Sequence, residues 1–239
     1  MMQLTESDLR AWLHAATHPP PSLDALLPWL EGPLKRFFPY RGLVLGHGEL
    51  VAGQLKVTHM LATGHEESYL RQLAKTFELE LRGSLKWWFS TRQPFCIDPV
   101  SPPSHTSAFE LEEIERFNLR NVAGHGVLNI KSNGGTYFGF SGVKEPLSGW
   151  HLGALRLMAP LLNDLLLTHL AGLQQKSHAS LTRLTRRQTE IVRHVVAGWN
   201  DKAIACAMDI TEKTVRNQLV GVYRTLGVHK RTELIALLK

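Results

Sequence analysis

Apolar residues along this chain recur with two different periods, and the period predicts the elements. Leu152, Leu155, Ala159, Leu162, Leu166 and Leu170 fall three and four apart, which predicts a long helix over 150–173. Leu161 and Leu165 widen the stripe, so more than one face is expected to be buried. Upstream, the cluster Pro19-Pro20-Pro21 separates a short N-terminal helix from a second over 23–38, with Ser22 as its N-cap. Two strand-like runs follow, 42–47 and 54–62. A polar, helix-favouring segment comes next, 66–89, broken at Gly83. Residues 91–107 read as an extended loop with four prolines, and the Glu-rich stretch 109–117 as a short exposed helix. The clearest β signal is 125–131 and 136–143 flanking Ser132-Asn133-Gly134-Gly135, where Asn-Gly supplies the positive φ angles of a tight hairpin.

From residue 184 onward the helical period returns in four short pieces with distinct punctuation. Thr185 and Gln188 form a capping-box pattern, Ile191, Val192, Val195 and Val196 face inward, and Gly198 suits a left-handed exit. The second helix, 202–208, turns Ile204, Ala205 and Met208 to the core, and the small Ala203, Ala205 and Ala207 allow close crossing. Ile210 plugs the core and Thr211 caps a third helix over 213–226. In it Val215, Leu219, Val222 and Leu226 face inward, and Gly227 ends it. A fourth helix over 231–238 closes the bundle with Leu234, Ile235 and Leu238. The expected fold class is therefore an α/β N-terminal domain, α/β/α with a mostly antiparallel sheet, plus an all-α four-helix C-terminal domain. The patternless polar stretch between them, 174–183, reads as a linker, giving domains at 1–173 and 184–239.

Charge gives the C-terminal part its meaning. Residues 181–239 hold 11 of the 27 Lys and Arg but only 5 of the 21 Asp and Glu, so the remainder is balanced at 16 against 16. All of the net charge of +6 sits in one quarter of the chain, the electrostatic footprint of a nucleic-acid-binding module. With Val215, Leu219 and Val222 inward, Arg216, Asn217 and Val220 point away. Arg216 can donate twice to guanine, Asn217 can pair with adenine, and Val220 can meet a thymine methyl. Lys202, Thr211, Lys213, Thr214, Arg224, Lys230 and Arg231 are cast as phosphate contacts, which position without reading sequence.

The stretch LTRRQTEIVRHVVAGWNDKAIACAMDITEKTVRNQLVGVYRTLGV, followed by KRTEL, closely resembles the LuxR-type helix-turn-helix family. In register are Leu184-Thr185, Glu190, Gly198, Lys202, Ile204-Ala205, Ile210, Thr214-Val215, Leu226-Gly227-Val228 and Arg231-Thr232-Glu233, about 55 residues in all. The resemblance implies that the third helix enters the major groove of double-stranded DNA and that the fourth helps pair two copies as a homodimer. Ala203, Cys206, Ala207, Gln218 and Thr225 depart from the family pattern.

The N-terminal domain carries a second, looser resemblance. Gly124-His125-Gly126-Val127, Gly134-Gly135, Phe138-Gly139 and the Leu-rich helix are similar to the second half of an autoinducer-binding domain, with Ile97-Asp98-Pro99-Val100 an echo of its acidic pocket segment. This implies an autoinducer-binding-like or GAF-like regulatory domain. The Trp-x3-Tyr-x2-Tyr arrangement of the lactone pocket is absent, so direct lactone sensing is not indicated. No acidic cluster on alternating strands suits a phosphorylated receiver either. The layout resembles the LuxR-type branch associated with exopolysaccharide and exosortase gene clusters. Trp87, Trp88 and Asp98 are the candidate ligand-pocket residues, set against a core role for the tryptophans and a turn role for Asp98.

The remaining chemistry narrows the picture. His47, His59 and His65 lack helical metal-ligand spacing and no cysteine joins them, so no metal site and no cofactor are expected. Nothing pairs a nucleophile with a base, which argues against an enzyme. Two isolated cysteines, Cys96 and Cys206, suit a reducing cytoplasm. The start, MMQLTESDLR, has no long apolar core and is not read as a secretory signal. Arg156, Asn163, Asp164 and His169 interrupt the most apolar stretch, so no membrane span is expected. The expectation is a dimeric transcription regulator whose N-terminal domain takes a small-molecule ligand. The alternative is a ligand-independent regulator in which that domain is a dimerisation or interaction module, recruiting RNA polymerase or a partner regulator.

Overall fold

The computed structural model describes residues 4–20, 25–51, 54–75, 79–129 and 134–238. Ser22 and the hairpin residues Ser132 and Asn133 lie outside the described residues. The chain divides into two compact units, Met1–His169 and Leu170–Lys239.

In the first unit, α1 (Glu6–Ala16) opens on a capping box between Thr5 and Asp8 and buries Trp12 and Ala15. The single helix expected over 23–38 is instead α2 (Leu26–Trp29), a π turn (Leu30–Leu34) and α3 (Lys35–Phe37). Pro33 lies inside the π turn, and its missing N–H cannot close an α-helical ladder.

Five antiparallel strands form one sheet in the order β2-β1-β5-β4-β3: β1 (Gly42–Val51), β2 (Gln54–Thr63), β3 (Phe95–Ile97), β4 (Val122–Asn129) and β5 (Gly134–Ser141). β1 is four residues longer than its alternation suggests, because the register with β2 shifts between His47 and Gly48 and breaks the period of two. Between the strands lie α4 (Glu67–Lys75), α5 (Gly83–Thr91) and α6 (Ala108–Arg116). Helix α7 (Gly149–Leu181) ends the first unit and continues through residues read as linker into the second.

Alternation along the strands sorts the sheet's two faces. On one, Leu43, Leu45, Phe138 and Phe140 are buried, with Phe140 edge-on to Phe38 and Thr136 donating to Asn163 of α7 at 2.9 Å. Of the expected α7 stripe, Leu155, Ala159, Leu162, Leu166 and Leu170 are buried and Leu152 is half-buried. On the other face, Tyr137 meets Trp88 of α5, in a cluster with Leu85, Phe95, Ile97, Ile114 and Leu119.

The second unit holds α8 (Arg186–Val196), α9 (Asp201–Ala207), α10 (Glu212–Leu226) and α11 (Arg231–Leu238). Its core is Ile191, Val192, Val195, Ile204, Ala205, Val215, Leu219, Val222 and Leu234. Ala203 and Ala207 are exposed, so only Ala205 of the three small residues faces inward. Among the described residues, no helix is long and apolar enough to cross a membrane.

Candidate nucleic-acid interface and N-terminal cavity

Helices α8, α9 and α10 each start on a side-chain cap, and these caps aim α10. Thr185 accepts from the Gln188 amide while Gln188 accepts from the Thr185 amide at 3.0 Å, completing the expected capping box. Asn200 accepts from the Ala203 amide at 2.8 Å and starts α9 one residue earlier than the apolar pattern indicates. Asp209 adopts a left-handed φ of 52° in the turn, and the Ile210 amide donates back to Ala205. Thr211 then caps α10 by accepting from the Thr214 amide at 3.1 Å. Gly227, at φ 71°, ends it.

With Val215, Leu219 and Val222 buried, Arg216, Asn217 and Val220 are exposed on the opposite side, Val220 at 54%. Lys213 and Arg224 extend that exposed surface along α10, and Lys202 is exposed on α9. Thr211 and Thr214 are engaged locally, their hydroxyls 2.9 Å apart. Lys230 lies 3.7 Å from Glu233.

Asn200, Asp201 and Glu212, absent from the sequence-derived site, organise it. Asp201 accepts from Arg231 at 2.9 Å and lies 3.6 Å from Arg216. Arg231 also donates to the Trp199 carbonyl. Arg216 is further paired with Glu212 at 3.1 Å. Arg231, expected on a phosphate, is thus held inside the module, and Arg216 is held by two carboxylates. Asn200 had a readable signal, an Asn before an apolar helical run. The role of Asp201 had none, because its partners lie 15 and 30 positions away.

In the first unit, the sheet face covered by α5 and α6 lines a cavity of about 120 Å³. Trp88 lines it; Trp87 and Asp98 are not among its lining residues. Trp87 stacks on His105 with ring centroids 4.5 Å apart, and Asp98 accepts from the Val100 amide at 3.0 Å in a turn. The Glu-rich α6, expected to be exposed, buries Glu110 and Glu113 beside Ile114. Glu113 takes two hydrogen bonds from Arg82, at 2.7 and 2.9 Å, and Glu110 accepts from Ser84 and Ser107. Burial pushes the Tyr69 hydroxyl up to about 12 and that of Tyr137 higher still. Burial also lowers the imidazole of His65, on the cavity wall, to about 4. Among the described residues, no group of three or more His, Cys, Asp or Glu is placed to hold a metal.

Residues 182–238 match the family described as GerE, bacterial regulatory proteins of the luxR family. A 64-residue stretch is 30% identical to the transcriptional regulatory protein YdfI of Bacillus subtilis, covering 27% of this chain and 30% of that relative's length. Three solved structures share the fold. CepR2 from Burkholderia cenocepacia, an N-acylhomoserine lactone dependent LuxR family transcription factor, is 14% identical, with a TM-score of 0.50 over 70% of this chain and 94% of its own. Escherichia coli SdiA is 16% identical, with a TM-score of 0.50 over 97% of this chain and 95% of its own. SdiA in complex with octanoyl-rac-glycerol gives 0.51 over 99% and 96%.

Proposed function

We infer that this chain, which carries a luxR-family domain at its C terminus, regulates transcription by binding double-stranded DNA as a homodimer in the cytoplasm. The observation that carries this reading is α10. Its inward residues are buried, while Arg216, Asn217 and Val220 stand exposed in a module that holds all of the chain's excess positive charge. Arg216 reads guanine, Asn217 adenine and Val220 a thymine methyl, while Lys202, Lys213 and Arg224 approach phosphates, with Thr211, Thr214 and Lys230 at the edge. Two copies present their α10 helices about 34 Å apart, one turn of DNA, on a palindromic site.

The first unit acts as the controlling domain, through a small molecule in the cavity beneath α5 and α6. The cavity favours this over the ligand-independent reading, since an interaction module has no need of an apolar recess walled by aromatic side chains.

Titration of a labelled DNA duplex with the full chain at several salt concentrations tests the central reading. Binding that weakens steeply and log-linearly with salt is expected. Absence of binding at low salt overturns it.

A further inference from the structure

The basic residues of the exposed DNA-facing surface are not alike. Among the described residues, Lys202, Lys213 and Arg224 form no ion pair, whereas Arg216 lies between two carboxylates. Its Nη2 donates to Glu212 at 3.1 Å, one turn earlier on α10, and its Nε lies 3.6 Å from Asp201 of α9. Asp201 is itself held in place: its other oxygen accepts from Arg231 of α11 at 2.9 Å, and its side chain is 26% exposed. Arg216 thus has one contact on its own helix and one on a neighbouring helix, which restricts how the guanidinium can turn.

Stability does not account for the Glu212 contact. The two side chains are 66% and 44% exposed, and ion pairs so well solvated add little to a fold. General affinity for DNA does not account for it either, since a carboxylate in the first turn of α10 repels phosphates from a helix end that otherwise attracts them. What the two carboxylates provide is orientation. The N–H groups of an arginine form a planar fork that suits guanine O6 and N7, but only when it is aimed at them. Asp201 and Glu212 engage Nε and Nη2, while Nη1 makes no hydrogen bond among the described residues. A guanidinium held along one side in this way loses less rotamer freedom when its remaining N–H groups meet a base.

We propose that Asp201 and Glu212 are positioning residues for base recognition, which together hold Arg216 in the orientation that reads guanine. The proposal rests on the reading of α10 as the recognition helix and names the residues that set its base preference.

A labelled duplex selected by the full chain from a randomised pool is the probe, with fluorescence anisotropy as the readout. The base pair at which Arg216→Ala loses preference is the one that Arg216 reads. There the unaltered chain is expected to favour guanine over adenine by about tenfold or more. Glu212→Ala and Asp201→Asn should each lower that ratio by about fivefold or more, and at that base pair alone. Glu212→Gln, which keeps an oxygen to accept from Nη2, should retain it. Each ratio is read within one protein, so a reduced folded fraction cancels. An unchanged ratio in Glu212→Ala or in Asp201→Asn, an equal fall in Glu212→Gln and Glu212→Ala, or a fall at every base pair alike overturns the proposal. If the duplex is bound but Arg216→Ala alters preference nowhere, the base-reading role of Arg216 and the proposal fall together, while the regulator reading stands.

Discussion

The Asp201 carboxylate accepts a hydrogen bond from Arg231 at 2.9 Å, tying the first turn of α9 to the first turn of α11. Both side chains are about one third exposed or less, so water screens the pair only partly. A charge-assisted hydrogen bond in that setting contributes about 1–3 kcal/mol. Asp201→Ala and Arg231→Ala are each expected to lower the stability of the C-terminal unit by that amount. Their double mutant should lose less than the sum, with a coupling of about 1 kcal/mol in urea titrations. Strict additivity would show that the pair contributes nothing.

Lys213 and Arg216 lie three residues apart on α10 and are expected to fail differently. Lys213→Ala should weaken all DNA sequences alike and reduce the slope of log affinity against log salt by about 0.9. Arg216→Ala should instead relax preference at one base pair, costing about 1–3 kcal/mol on the preferred site. Binding measured on a panel of single-base operator variants separates the two. Arg231→Ala should leave the salt slope unchanged, because that guanidinium is engaged by Asp201 and the Trp199 carbonyl.

Thr211 starts α10, and its hydroxyl oxygen takes the Thr214 amide. Thr211→Ala is expected to cost about 1 kcal/mol, with Thr211→Asn close to neutral because Asn caps as well. Thermal unfolding followed by far-ultraviolet circular dichroism tests this. Equal losses in the two variants would mean that the hydroxyl acts through something other than the cap.

His65 and His125 are both held at about 4 by burial, with the Arg156 charge adding to the effect at His125. Both are neutral in the fold, whereas an unfolded histidine protonates near 6.5. Between about pH 6.5 and 4 the unfolded chain therefore binds more protons, and stability falls as pH falls; above that window their contribution is flat. The two together should cost the first unit on the order of 2 kcal/mol at pH 4.5 relative to pH 7.5, allowing for their partial solvent contact. Five of the six tryptophans, 12, 29, 87, 88 and 150, lie in that unit, so fluorescence-detected urea midpoints follow it. A midpoint independent of pH in that range would contradict the assignment.

What was readable in the sequence divides by range. Thr185 with Gln188, Thr211, Gly198 and Gly227 act on backbone within three or four positions, so composition alone locates the helices of the second unit to within a residue. The two hairpin strands were legible only approximately: each lies two to three residues before its expected run, and Gly134 and Gly135, expected in the turn, pair with Asn129 and Leu128 inside β5. The Asp201 hub was not legible, because it depends on how three helices cross. Glu110 and Glu113 read as solvated, because nothing local shows that Arg82 and Ser84 come to meet them. The cavity was legible only at Trp88, because the strand and helix residues that wall it lie far apart in sequence.

Glu110 sits at the start of two helices at once. Its carboxylate accepts from the Ser84 amide in the first turn of α5, at 3.1 Å, and from the Ser107 amide that opens α6, at 2.9 Å. A single anion thus anchors the positive ends of two helix dipoles. The first turns of α5 and α6, far apart in sequence, are therefore tied to each other through one carboxylate, and removing it would unpair the starts of both.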